Sequence, residues 1–200
     1  MKWMIIRVLV FALMVVMWPL STFAQGFSAD DWALVESERM AQEGWKVAPG
    51  LVPMALQLKE SYEMALAKDE NGYPKYFMGE ALTTGTDYNV ALSQAATLAK
   101  LDMAGKIQSE IMGQVEANAT DSELLAQAAV SCRQTFSQRI GRVVAPINVY
   151  RHLDNGKMQV RTVIYYAHEQ ALEIYKQTLR EALEQKAEAL GKELDGLLDL

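Results

Sequence analysis

Cys132 is the only cysteine in the chain, so no disulfide can close within it. It sits in an apolar, helix-like run from Leu124 to Phe136 and reads as a small buried hydrophobe, with pairing to another molecule as the alternative. Histidine is nearly as scarce. His152 and His168 are the only two, and neither has a Cys, His or acidic partner at metal-ligand spacing. Both read as surface or hairpin residues rather than ligands. The Gly-x-Ser-x-Gly elbow is missing, and no catalytic-thiol motif surrounds Cys132.

Positive charge is also in deficit. The formal net charge is −6, and Lys2 and Arg7 fall in a leader, which leaves 17 basic against 25 acidic residues. That balance argues against a broad basic surface for nucleic acid. The acidic residues cluster as Asp30-Asp31 and Asp69-Glu70, in caps and turns where solvated charge is the default. No carboxylate pair stands out as general acid and base. The expectation is a protein that is not an enzyme, with no cofactor and no metal.

The leader is the first feature that is present. Lys2 and Arg7 precede an apolar run from Val8 to Trp18, Pro19 breaks it, and Thr22-Phe23-Ala24 offers small residues where a signal peptidase reads. Residues 1–24 therefore read as a signal peptide. Left uncut, the same run would be a membrane anchor. Export to the periplasm or outer envelope of a Gram-negative bacterium follows as an expectation.

Residues 25–75 read as an N-terminal helical region. Ser28 and Asp31 have the spacing of a helix cap, and the helix should run to about Gln42, where Gly44 stops it. Trp45 to Gly50 is extended, with Trp45 turned into the core. Pro53 suits the first turn of a second helix, on which Leu58, Tyr62 and Ala65 share a face. The polar stretch Lys68 to Pro74 ends the region.

Residues 76–166 read as an α+β core. Tyr76 to Thr84 is a strand, and Thr86 or Asp87 caps a long alanine-rich helix running to about Met112. Leu92, Ala95, Ala96, Ala99, Met103 and Ile107 fall on one arc, and such small side chains let a helix lie close to a sheet. Gly79 and Gly85 flank a turn that resembles a phosphate loop but lacks its Lys and Ser/Thr, so it reads as a helix entry. Asn118-Ala119-Thr120 matches a glycosylation acceptor, and Asp121 or Ser122 caps a helix to about Arg139. Arg142 to His152 and Lys157 to Tyr166 flank Asp154-Asn155-Gly156, a hairpin signal in which Asn-Gly supplies positive φ. Pro146 marks an edge or bulge in the first arm. Alternation in the second arm predicts one buried sheet face, covered by the alanine helix.

Residues 167–200 read as a long helix. Its leucines recur at threes and fours, so its far half needs a partner within the chain or on another chain. The predicted architecture is a small antiparallel sheet of about three strands under an alanine-rich helix, flanked by N-terminal helices and a long C-terminal one.

A strand, an alanine-spaced helix with Ala91, Ala95, Ala99 and Ala104, a second helix and a hairpin resemble the bacterial lipoprotein-20 family and the N-terminal domain of the flagellar assembly protein FlgT. Through Gly44-Trp45-Lys46, Pro49-Gly50 and Gly72-Tyr73-Pro74-Lys75-Tyr76, the chain is also similar to uncharacterised exported proteins of Bacteroides-like bacteria. The resemblance implies a dodecin-like core in a non-catalytic envelope protein. Unlike the lipoproteins, this chain has no cysteine at the cleavage point to bear a lipid.

Two functions follow as expectations. In the first, the protein acts by association with itself or another envelope protein, with Leu190, Leu194 and Leu197 as candidate interaction residues. In the second, it carries a small apolar ligand in a pocket between sheet and helices lined by Met78, Leu82, Met103 and Tyr166, although ordinary core is the favoured reading of such scattered residues.

Overall fold

A computed structural model describes residues 28–116 and 122–198. The leader at 1–24, the Asn118-Ala119-Thr120 acceptor and the Asp121 cap lie outside the described residues. The elements in chain order are α1 (Ala29–Gln42), β1 (Lys46–Val47), α2 (Met54–Leu66), β2 (Tyr76–Gly85), α3 (Tyr88–Glu116), α4 (Ser122–Arg139), β3 (Val144–His152), β4 (Met158–Ala167) and α5 (His168–Leu198).

Local chemistry explains most of the boundaries. Ser28 and Asp31 form a reciprocal capping box, and Gly44 ends the α1 turn at a φ of 85°. Asp87 caps α3 by accepting from the Val90 amide at 3.1 Å. The hairpin between β3 and β4 closes with Gly156 N–H donating to Leu153 O and Leu153 N–H donating to Lys157 O. Only Gly156 has positive φ there; Asn155 does not, so the expected pair of positive angles reduces to one, as in a turn followed by a glycine bulge. Asn155 instead accepts the Lys157 amide on its side chain.

The strands form one antiparallel sheet in the order β1-β3-β4-β2. The class is α+β, with four strands where about three were expected. The addition is β1, whose two residues pair with Val149 and Tyr150. The register shifts between Val144 and Ile147, the bulge that Pro146 signals.

Both faces of the sheet are covered, which corrects the expectation of one. Val160 and Ile164 of β4 join Phe77 and Ala81 of β2 under α3, in a core that continues into α4 and α5 through Cys132, Phe136, Ala171 and Tyr175. Val163 and Tyr165, at the opposite parity of β4, join Ile147, Val149 and Trp45 under α1 and α2. A strand that is apolar at both parities is a strand buried on both faces. The N-terminal helices are the second cover. Trp32 of α1 stacks on Tyr62 of α2 at 5.0 Å, and Arg151 lies 4.6 Å over the Trp45 ring.

The buried face of α2 is Gln57, Leu58 and Ser61, and Ala65 is exposed rather than inward. The two polar residues are inside because the sheet supplies partners. Gln57 accepts from the Asn148 amide and donates to Val52 O, while Ser61 bonds the Tyr165 hydroxyl. On α3 the buried arc is Ala91, Ala95, Ala99, Met103, Ala104, Ile107 and Ile111; Leu92 and Ala96 stand at its border, and the helix passes Met112 to reach Glu116. Alanines on the helix meet glycines on the strand, for a Cβ on Gly85 would stand 3.0 Å from Ala91 Cβ.

Candidate functional site

Where β4 hands over to α5, His168 stands at the first position of the helix and its ring stacks on Phe77 at 4.4 Å and 12°. Its Nε2 lies 3.2 Å from Glu110 Oε1 of α3. The start of β2 is held beside it, because His168 N–H donates to Lys75 O and Lys75 N–H to Ala67 O. One turn before Glu110, Lys106 donates to Met78 O at 2.9 Å and pairs with Asp102 at 2.8 Å.

These groups border an open groove of about 550 Å³ walled by Tyr73, Pro74, Tyr76, Phe77 and Met78. Tyr73 is 65% exposed. Its loop is preset by Asp69, whose Oδ1 accepts from the amides of Asn71 and Tyr73. A second recess of about 360 Å³, bordered by Asp69, Lys75 and Glu169, shares Pro74, Tyr76 and His168 with the first. Aromatic walls with a few polar groups at the rim are suited to holding a small, largely apolar molecule.

The four expected pocket residues do not line one cavity. Met103 is fully buried in the core beneath α3, and Tyr166 packs against that same core. Met78 lies on the other face, where its sulfur takes the Tyr165 hydroxyl at 3.3 Å, and Leu82 is 54% exposed. Strand parity is the reason. The odd residues Phe77, Gly79, Ala81 and Thr83 face α3, so Met78 and Leu82 face away from it. Of the four, Met78 alone borders the groove. Leu190, Leu194 and Leu197 lie in α5, but their side chains are outside the described set.

The fold gives His168 an acidic partner that sequence spacing does not show. Glu110 is 58 residues away, so only the fold reveals it. The one local signal was the run Tyr73-Pro74-Lys75-Tyr76-Phe77, dense in rings just ahead of a strand. His152 lies exposed at the hairpin with its ring 5.8 Å from Tyr150. Among the described residues, no group of three His, Cys, Asp or Glu side chains is placed to hold a metal, and no helix is long and apolar enough to cross a membrane.

Cys132 is buried between α4 and α5, with Sγ 3.5 Å from Thr178 O. Burial pushes its thiol above the ordinary value, and the reactive thiolate is correspondingly disfavoured. Arg139 closes the same interface by pairing with Glu181 at 2.6 Å. No family model, curated protein or solved structure matches this chain.

Proposed function

We propose that this is a non-catalytic exported protein of the Gram-negative cell envelope, in the periplasm or at the outer envelope, that works by associating with another envelope protein or with itself. One observation carries the reading. The helix α5 continues to Leu198, over roughly 45 Å at the usual rise, whereas Leu183 is the last of its described side chains packed against the core. The sequence places Leu190, Leu194 and Leu197 on the arc that carries Leu179 and Leu183. A row of leucines extending a buried arc is what a helical seam requires. Export rests on the leader, and the envelope on the lipoprotein-20-like spacing of Ala91, Ala95, Ala99 and Ala104.

Site-specific photocrosslinking in an exporting Gram-negative host tests it. A photoreactive residue at Leu194 should give discrete adducts, to a second copy or to one envelope protein, and the same probe at exposed Glu70 should give none. Equal labelling from both positions, or no adduct from Leu194, would sink the idea.

The groove beside His168 favours a second reading, a carrier of a small apolar ligand. Native mass spectrometry of the purified chain should then show a bound molecule that is lost on Tyr76→Ala. A clean apo mass from exported protein counts against it.

A further inference from the structure

Glu80 shows which backbone groups of β2 point away from the sheet. Its amide donates to Asp102 Oδ2 at 3.0 Å, and Met78 O accepts from Lys106 Nζ at 2.9 Å. The β2–β4 register runs unbroken from Tyr76↔Ala167 to Gly85↔Met158. In an antiparallel ladder, alternate residues bond to the same side, so the amides and carbonyls of Leu82 and Thr84 also point outward. β2 is the terminal strand on this side.

The two halves of this edge are built differently. Over Met78 and Glu80 stands the Asp102–Lys106 ion pair, charged cover of the kind that keeps an edge from recruiting another strand. Over Leu82 and Thr84 there is no such cover: no described residue hydrogen-bonds their outward groups. Exposed apolar side chains flank that half instead. Leu82 is 54% exposed, and Leu98, one turn before Asp102 on the same side of α3, is 48% exposed.

We propose that the open half of the β2 edge is a contact between two copies of this chain, paired antiparallel about a two-fold axis at Thr83. Parity restricts the axis to a residue position, and it falls at Thr83 because Glu80 is already held by Asp102 and the strand ends at Gly85. Leu82 of one copy then faces Thr84 of the other in a hydrogen-bonded pair, and the reverse pair completes the set, so the four outward groups of each copy are satisfied by the four of its mate. Asp102 stops the ladder at Glu80, and Gly85 ends the strand. The product is a sheet continuous across two molecules. This surface is separate from the α5 leucine row and does not rest on it.

A disulfide reads out the register. In a Cys132→Ser background, Leu82→Cys with Thr84→Cys places the two thiols across hydrogen-bonded pairs with Cα atoms about 5.5 Å apart, inside the range that a disulfide spans. Mild oxidation should give a covalent dimer from the double variant and far less from either single variant, whose thiols are not opposite each other. Independently, sedimentation should show a dimer of the leader-free wild type that Leu82→Lys weakens by at least about tenfold, a charge on the edge being the natural block. Leu190→Glu with Leu194→Glu should leave the β2 disulfide unchanged. Circular dichroism confirms that each variant folds. A wild type that stays monomeric at its highest soluble concentration, a dimer indifferent to Leu82→Lys, or equal crosslinking of single and double variants would overturn the proposal.

Discussion

The carbonyl oxygen of Ala99 in α3 lies 2.1 Å from where a Cβ on Gly79 of β2 would stand. Met103 Cβ is 2.9 Å from the same point. The helix backbone therefore rests on the strand at Gly79, and nothing there can yield except the helix itself.

Gly79→Ala should consequently destabilise the fold by about 2 kcal/mol or more, as overpacking against backbone does. Gly113→Ala should act with the opposite sign. Gly113 is exposed within α3 with nothing near its missing Cβ, so alanine should add about 0.5–1 kcal/mol through helix propensity. Urea titration of both variants checks the pair, and equal effects would contradict the close approach.

Gln57 offers a second test, this time of a buried polar group. Its carbonyl accepts from the Asn148 amide at 2.8 Å and its amide donates to Val52 O at 2.7 Å. Gln57→Met keeps the volume but strands both backbone partners, and should cost about 2–4 kcal/mol if each loses its only bond. Hydrogen exchange at Asn148 should accelerate in the same variant. An unchanged unfolding midpoint would mean that water replaces the side chain.

Acid should weaken the α3–β2 junction. Burial opposes ionisation of Asp102, but the Lys106 ammonium and the Glu80 amide outweigh it and hold its pKa below the ordinary carboxylate value. A carboxyl with a lowered folded pKa contributes stability that is fully present above its unfolded value, near 4, and is lost as pH falls through the folded one. The acid limb of stability below about pH 4 should therefore be shallower in Asp102→Asn than in the wild type. Denaturant midpoints measured across that range decide it.

Cys132 should be slow to react. With its thiol buried and its pKa raised by burial, a disulfide reagent at pH 8 should label the native protein only through opening, and the denatured protein at once. Immediate stoichiometric labelling of the native chain would contradict its placement between α4 and α5.

Local signals were the legible ones. The Ser28–Asp31 cap, the Pro146 bulge and the Gly156 turn each depend on residues within a few positions, and each is where the sequence puts it. The second covered face is also written in β4, whose Val163 and Tyr165 are large hydrophobic residues beside Val160 and Ile164, although alternation alone predicts one buried side. The misplaced pocket has the same origin. Side-chain chemistry groups Met78 and Leu82 with Met103, whereas strand parity separates them. The His168–Glu110 pair was beyond reach, since nothing local joins residues 58 apart.

The strand order also fixes when this protein can fold. β4 joins β3 to β2, yet it is the last of the four strands in the chain. Until Met158 to Ala167 exist, β2 has no neighbour and β3 has only the two residues of β1. Ser61 must wait for Tyr165, and Gln57 for Asn148, across 104 and 91 positions. Such distant pairings close late and slowly. A growing chain therefore has no sheet beyond the short β1–β3 pairing until Ala167 has been added, and up to that point the edges of β2 and β3 that β4 will cover stay open.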